Sequence, residues 1–415
     1  MIKFPESKLH EFPSGLRLVY HYSPGAISHC GIMVNAGSRH EPDKKAGLAH
    51  FIEHVIFKGT EKRNAYQVLN RLESVGGDLN AYTTKEETCV HASMLHIHFD
   101  RAVELLADII FSPSFPAKEV EVEKGVVLDE INSYLDNPSE QIFDDFECMV
   151  FQGKPLGNPI LGNVESVKSF TRKDLVEFTA LHYKTDRMVV SYVGALPLDK
   201  VLDSVSKHMN FKRHSKKGFF DSAVRYGKKT KRVVVERNTA HDHYISGGKA
   251  FSAHDSKRFA LFLMNNILGG PGMSSRLNMN IREKYGYTYQ IESGFHTFSD
   301  TGLFHIYFAT EKGFFNKCLE LVKKETDKMR NQPISDSRLA SYKYQLKGQI
   351  ALGQENRAGF MLNNARNVVL YDRPLDLSYV MSKIDLVTSS DIMEVANDLL
   401  KEESVSSLHY KSDKG

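Results

Sequence analysis

The order of hydrophobic and polar positions predicts alternating strands and helices along the first half of the chain. Segments rich in residues that suit a pleated surface predict strands at residues 16–20, 31–35, 89–98 and 188–193. Apolar positions with helical spacing predict helices at residues 42–57, 65–73, 102–110 and 116–135. Pro42 and Pro116 stand at two of the predicted helix starts, where proline is favourable.

Residues 212–231 interrupt this pattern with a run of positive charge. The cations in it are Lys212, Arg213, Lys216, Lys217, Lys228, Lys229 and Lys231. A charged segment between two patterned regions is typical of an exposed linker, and a solvated charge run is favoured over a binding role. We therefore divide the chain into residues 1–211, a basic linker at 212–231, and residues 232–415.

The order of elements restarts after this linker and indicates a duplication. A shift of 211 positions pairs residues 36–37 with 247–248, 49–54 with 260–265 and, after a small gap, 87–90 with 300–303. Apolar positions persist in the second copy, whereas two histidines and a glutamate are lost. The sequence thus predicts an α+β protein of two similar α/β-sandwich halves, each an antiparallel-rich sheet covered by helices.

Length and composition narrow the class of protein. A chain of 415 residues is too long for one compact core and suits two domains. Hydrophobic residues make up 41% and charged residues 25%, as in packed globular proteins. The net charge of +3 is small, so we expect no nucleic acid among the partners.

The same reading predicts a cytoplasmic protein with no membrane partner. The four cysteines lack CxxC spacing, which is typical of buried thiols in a reducing compartment. No stretch approaches the ~18 uninterrupted apolar residues of a membrane helix. Residues 1–9 have neither the apolar region of a secretory signal nor an Arg-rich amphipathic pattern.

The candidate chemistry lies in the sequence His50-Phe51-Ile52-Glu53-His54. Positions four apart share one face of a helix, so both imidazoles can reach one metal ion. Glu53 lies on the turn between them and can approach a water at the metal without being a ligand. The pattern by itself also fits a helix with two surface histidines, although its apolar neighbours favour a sheltered site.

Catalytic zinc commonly takes three protein ligands, so a third ligand is required. The helix predicted at residues 116–135 offers Glu123 and Glu130, which are seven residues apart and share one face. Val126 and Val127 indicate that this helix is partly buried, and a buried carboxylate is costly unless it is paired or bound to metal. Position alone leaves open whether the two glutamates are solvated.

The combination resembles the pitrilysin and insulysin family of zinc peptidases, which includes the mitochondrial processing peptidases. The pattern His-x-x-Glu-His is the signature of these inverzincins, and the family has a glutamate about 76 residues past the second histidine, where Glu130 stands here. Further matching segments are residues 36–39, 57–60, 76–77 and 80–83. The resemblance spans nearly the whole chain and is strongest over residues 37–130.

The resemblance implies a role for each residue of the cluster. His50, His54 and Glu130 would hold Zn²⁺, and Glu53 would be the general base. Glu123 would orient a ligand histidine or support activity.

The second half carries its own match to the family. Residues 269–277 lack the Gly-Lys-Ser/Thr of a phosphate-binding loop. They instead resemble the family's glycine-rich turn, which precedes an arginine and a tyrosine seven residues apart, here Arg282 and Tyr289. This pair would hold the substrate backbone and steady the oxyanion. Pro271 and Tyr287 depart from the family pattern, and Tyr287 is a rival for the tyrosine role.

The resemblance also implies how substrate is bound and how chains assemble. Asn80 and Ala81 would lie on an edge strand whose backbone pairs with an extended peptide. The implied function is a zinc-dependent endopeptidase that hydrolyses peptides or unfolded polypeptides inside a chamber. A homodimer is expected, and a heterodimer with a related chain stays open. The alternatives are a non-catalytic scaffold or partner subunit of a peptidase-like complex, and a peptidase that processes one dedicated precursor.

Overall fold

The structure is a computed structural model that describes residues 6–209 and 230–413 of the chain. The predicted linker, residues 212–231, lies outside the described residues except for its last two positions. The described chain forms two compact units: residues 6–132, 158–209 and 351–378 make the first, and residues 133–157, 230–350 and 379–413 make the second. Each unit therefore includes a segment from the far side of the linker. The division of roles between residues 1–211 and 232–415 stays a prediction.

The strands of the described residues form one sheet in each unit. The strands of the first unit are β1 (Lys8–Glu11), β2 (Arg17–Tyr22), β3 (Ile27–Val34), β4 (Asp78–Thr83), β5 (Thr88–Leu95) and β6 (Met188–Gly194). The strands of the second unit are β7 (Arg232–Arg237), β8 (Asp242–Ala250), β9 (Thr288–Thr297), β10 (Gly302–Thr310) and β11 (Ser406–Ser412). The sheet orders are β1-β2-β6-β3-β5-β4 and β7-β11-β8-β10-β9.

The α-helices are numbered in chain order. They are α1 (Leu48–Val55), α2 (Ala65–Glu73), α3 (Phe99–Phe111), α4 (Ala117–Leu135), α5 (Pro138–Val150), α6 (Val164–Lys168), α7 (Arg172–His182), α8 (Leu198–His208), α9 (Arg258–Gly269), α10 (Phe315–Asn331), α11 (Asp336–Gly353), α12 (Arg357–Tyr371), α13 (Leu377–Leu386) and α14 (Ser389–Leu400). Among the described residues, no helix has both the length and the hydropathy that crossing a bilayer requires.

The second sheet repeats the plan of the first. Strands β2 and β6 run parallel, as do β7 and β11, and all other neighbouring strands are antiparallel. The order β2-β6-β3-β5-β4 corresponds strand by strand to β7-β11-β8-β10-β9. Helix α1 follows β3 as α9 follows β8. The predicted pair of similar α+β halves is therefore confirmed.

The inner strands of the first sheet, β2, β6, β3 and β5, are buried on both faces by helices. Leu18 and Ile32 belong to the main core with the fully buried apolar residues of α1 and α3. Their neighbours Val19 and Met33 point to the opposite face, where they pack against α12. This alternation follows from the two-residue period of a strand.

Several predicted details are wrong. The helix predicted to begin at Pro42 begins at Leu48, because Gly47 has a left-handed backbone with φ of +92°. The strand predicted over residues 89–98 ends at Leu95, and His96–His98 form a 3-10 turn before α3. The pairing of residues 36–37 with 247–248 is also misaligned, because the first pair follows β3 and the second lies inside β8.

The cysteine prediction is mostly confirmed. All four cysteines are free thiols, and Cys30, Cys89 and Cys318 are buried. Cys148 is only partly buried. The three buried thiols pack as small hydrophobic residues, each in a different hydrophobic cluster.

Candidate metal centre

Helix α1 is anchored so that two of its histidines have a fixed direction. The carboxylate of Glu41 accepts the backbone N–H groups of Gly47 at 2.9 Å and Ala49 at 2.8 Å. This satisfies donors that the first turn of a helix leaves without intrahelical partners. Phe51 and Ile52 are fully buried against the sheet. His50 and His54, four residues apart, lie together on a different face of the helix from Phe51 and Ile52.

Helix α4 brings a carboxylate to this pair of imidazoles. Oε2 of Glu130 lies 3.7 Å from Nε2 of His50 and 3.4 Å from Nε2 of His54. Within the described residues, these three side chains are the one group of His, Cys, Asp or Glu whose ligand atoms all lie within 4.8 Å of one another. The fold thus brings Glu130 close to two histidines that are far from it in the sequence.

The donor set of this cluster fits a zinc ion. Burial, together with the neighbouring His54, lowers the pKa of His50 to about 3, so His50 is neutral at pH 7 and offers a lone pair. Oε2 of Glu130 is buried and has no hydrogen-bond partner within the described residues. Two imidazole nitrogens and one carboxylate oxygen are a ligand set that catalytic zinc takes in proteins.

Glu123 lies behind His54 and fixes its orientation. Its Oε1 accepts a hydrogen bond from Nδ1 of His54 at 3.0 Å, a direction that assigns the imidazole proton to Nδ1 and leaves Nε2 facing Glu130. Such carboxylate–histidine pairs are typical of metal sites. Glu123 therefore supports the cluster without being part of it.

Glu53 lies beside His54 and Glu130, and Thr83, the last residue of β4, contacts its carboxylate. The Thr83 hydroxyl donates a hydrogen bond to it, and the second oxygen, Oε2, is buried without a partner in the described chain. Burial raises the pKa of Glu53, and the Glu130 carboxylate adds to this, while Thr83 and His54 oppose it. A carboxylate with a raised pKa is suited to exchange protons near neutral pH.

Strand β4 is the open edge of the first sheet on the side of Glu53. It pairs with β5 alone in the described sheet, with Asn80 opposite His91 and Ala81 opposite Val90. The side-chain oxygen of Asn80 accepts the backbone N–H of Ala81 at 2.8 Å. This contact indicates that the N–H points away from β5, where a further strand could pair.

The two candidate tyrosines of the second unit have different surroundings. Tyr289 is 87% exposed, and the guanidinium of Arg282 lies 5.5 Å from the centre of its ring. Tyr287 is stacked between Tyr285 and Phe314, with ring centres 5.3 and 4.9 Å away. Tyr289 is thus the more exposed of the two candidate side chains, and Tyr287 is partly buried.

Two residues beside the cluster were missed by the sequence reasoning. Thr83 was seen only as part of a matching segment, although its hydroxyl contacts Glu53. Lys58 lies 2.8 Å from Oε2 of Glu123. The signal for Lys58 was present, because it follows His54 by four residues and so continues the face of α1.

Solved structures share this architecture. A protease from Helicobacter pylori superposes with a TM-score of 0.90 at 21% identity, over 99% of this chain and 100% of the other. A structure described as a peptidase M16 inactive domain from Pseudomonas fluorescens superposes with a TM-score of 0.88 at 19% identity, over 99% and 98%. At this level of identity the likeness establishes the fold.

Closer relatives are found by sequence. An uncharacterized zinc protease of Mycobacterium leprae is 32% identical over 94% of this chain and 88% of its own length. An uncharacterized zinc protease of Bacillus subtilis is 30% identical, over 95% and 96%. The beta subunit of the mitochondrial-processing peptidase of Bos taurus is 30% identical, over 97% and 84%.

Two family descriptions match consecutive parts of the chain. Residues 17–164, which include the whole metal cluster, match Insulinase (Peptidase family M16). Residues 169–346, which include Arg282 and Tyr289, match Peptidase M16 inactive domain. These matches, with relatives at 30% identity or more over nearly the full length, show that the chain belongs to peptidase family M16, the insulinase family.

Proposed function

We propose that this protein is a zinc-dependent endopeptidase whose metal is held by His50, His54 and Glu130. The observation that carries the proposal is the convergence of both imidazole Nε2 atoms on a buried carboxylate oxygen that has no other partner. A buried acceptor without a donor is costly, and a cation at this point would satisfy all three ligand atoms at once.

The chemistry divides between the metal and the chain. Zinc bound at this cluster would act as a Lewis acid and make water a better nucleophile at neutral pH. Glu53 takes the proton from the attacking water and passes it to the leaving amine, and the hydrogen bond from Thr83 holds its carboxylate for both steps. Glu123 keeps the lone pair of His54 directed at the metal position.

Substrate would be bound chiefly through its backbone. An extended peptide pairs as an additional strand with the open edge of β4 beside Asn80 and Ala81. Because this pairing uses backbone hydrogen bonds, it depends little on the sequence of the peptide. Arg282 and Tyr289 would hold the substrate backbone and steady the oxyanion. We infer that the substrates are peptides or unfolded polypeptides that enter a closed chamber.

Substitution of Glu53 tests the proposal. E53Q keeps the size of the side chain and removes the base, so we expect normal zinc content and no cleavage of a quenched peptide library. E73Q, at an exposed glutamate on α2, is the matched control and should keep full activity. Near-normal turnover by E53Q would eliminate Glu53 as the base. A wild-type protein that carries no zinc and cleaves nothing would favour a scaffold or partner subunit instead.

We further propose a cytoplasmic homodimer in which Arg282 and Tyr289 of one copy serve the zinc site of the other. Mixing E53Q with R282A chains tests this arrangement, because one intact site can form only if residues are shared across copies. Activity recovered on mixing supports sharing, and a mixture as inactive as its components excludes it. If a related chain is needed for activity, the heterodimer replaces the homodimer.

A further inference from the structure

Lys58 is the outer end of a line of polar contacts that reaches the metal cluster. It closes the 3-10 turn Ile56–Lys58 that continues α1. Its Nζ lies 2.8 Å from Oε2 of Glu123, whose Oε1 lies 3.0 Å from Nδ1 of His54. The two oxygens of one carboxylate are thus divided between a lysine and a candidate metal ligand.

Glu123 depends on this lysine for charge compensation. The Glu123 side chain is 4% exposed, whereas that of Lys58 is 32% exposed and keeps part of its hydration. A buried carboxylate is costly unless it is paired. In the part of the chain that the structure describes, Lys58 is the only lysine or arginine within ion-pair distance of Glu123.

The ion pair also biases the direction of the carboxylate. A carboxylate held at one oxygen can rotate about its terminal bond. Oε2 of Glu123 has no hydrogen bond in the described residues, so its charge contact with the ammonium of Lys58 is what opposes this rotation. With Oε2 directed at Lys58, Oε1 stays directed at Nδ1 of His54. The imidazole is then kept with Nε2 toward Oε2 of Glu130, 3.4 Å away.

We propose that Lys58 is a positioning residue for the metal site, which it orders through Glu123 and His54. Lys58 is not one of the three candidate ligands, and the inference rests on the proposed zinc site. Without the ammonium group, the Glu123 carboxylate turns toward water and the His54 ring is free to rotate. Binding zinc must then reorder both side chains, which weakens the affinity.

The test is the zinc affinity of variants at Lys58, measured by competition with a chromophoric chelator. We expect K58M to bind Zn²⁺ about tenfold more weakly than wild type, as for other residues that support a metal ligand. K58R should recover most of the affinity, because it keeps the charge and the donors. K62M, at an exposed lysine four residues further along, is the matched control and should bind like wild type.

A double-mutant cycle shows whether Lys58 acts through Glu123. If it does, K58M lowers the affinity of wild type but has no further effect in an E123Q background, where no carboxylate remains to be held. An equal loss in both backgrounds, or a K58M protein that binds zinc as tightly as wild type, would overturn the role of Lys58. Absence of zinc binding by wild type itself would instead overturn the zinc site, and this inference with it.

Discussion

The guanidinium of Arg39 lies 2.6 Å from the carboxylate of Glu86, and both side chains are almost completely buried. Around this pair, the backbone N–H groups of Ser38 and Arg39 donate to the carbonyls of Thr84 and Lys85. A Cβ at Gly37 would lie 2.3 Å from the Thr84 carbonyl oxygen, so only glycine permits the approach. The segment after β3 thereby holds the turn of the β4–β5 hairpin, and with it Thr83.

Removal of one partner from this pair should be strongly destabilising. We expect R39A to lower the free energy of unfolding by about 3 to 5 kcal/mol, because the buried Glu86 carboxylate loses the guanidinium that lies 2.6 Å away. Urea denaturation of the zinc-free protein measures this. R338A, at an exposed arginine, serves as the control and should lie within about 0.5 kcal/mol of wild type. A loss below 1 kcal/mol for R39A would show that the turn is held by its backbone contacts alone.

Substitution of Glu130 should separate metal binding from folding. E130Q removes the charged ligand, so we expect zinc content to fall from about one ion per chain to a small fraction of that. The zinc-free form should be no less stable than wild type, because the buried Oε2 has no hydrogen-bond partner to lose. Elemental analysis and thermal unfolding in chelator check the two statements, with E140Q, at an exposed glutamate, as control. Full zinc content in E130Q would exclude Glu130 as a ligand.

The sequence was informative where local rules act alone. Helix α2 has the predicted bounds, Ala65–Glu73, because a complete capping box at Asn64 and Gln67 defines its start. Helix α1 was predicted six residues too long at its start. Its start is set by the carboxylate of Glu41, which accepts the N–H of Gly47 six residues later, and by the left-handed backbone of Gly47. The spacing of apolar positions reveals neither feature.

Other features depend on contacts distant in sequence. Residues 85–87 form a charged turn that any local rule places in solvent, yet all three side chains are buried. Arg39 and Arg366, which pair with Glu86 and Glu87, are supplied from other segments. Likewise, α12 (residues 357–371) packs on the first sheet and so belongs to a unit composed mostly of the first half of the chain. A shift of the sequence against itself cannot show such an exchange.

The two tyrosines of the second unit should respond differently to substitution. Y289A should leave stability nearly unchanged and reduce peptide cleavage, because its exposed ring packs against little besides Arg282. Y287A should lower the free energy of unfolding by about 3 kcal/mol or more, because its ring is stacked between two aromatic neighbours. Steady-state kinetics and urea denaturation of both variants show which tyrosine acts on substrate and which stabilises the fold. Normal cleavage by Y289A would return the substrate role to Tyr287.

Proline at position 81 should weaken substrate binding without disturbing the sheet. An outward N–H on an edge strand is dispensable for folding, so A81P should keep its thermal stability and zinc content. It removes one donor to an extended peptide, worth about 0.5 to 1.5 kcal/mol, and KM should rise about two- to tenfold. Kinetics on a quenched peptide measure this. Unchanged KM in a folded A81P protein would show that substrate does not pair with β4 at Ala81.

Buried His305 should make the protein sensitive to acid. Burial, and then the neighbouring His296, lowers the pKa of His305 to about 3 from an ordinary value near 6.5. Between these two values the unfolded chain binds a proton that the folded protein refuses, so the free energy of unfolding falls as pH falls from 6.5 toward 3. H305Q removes this contribution. Between pH 7 and pH 5 it should lose about 2 kcal/mol less stability than wild type, while H10Q, at an exposed histidine, should follow wild type. Urea denaturation at both pH values measures the difference, and parallel behaviour of H305Q and wild type would mean that His305 takes up its proton without unfolding the second unit.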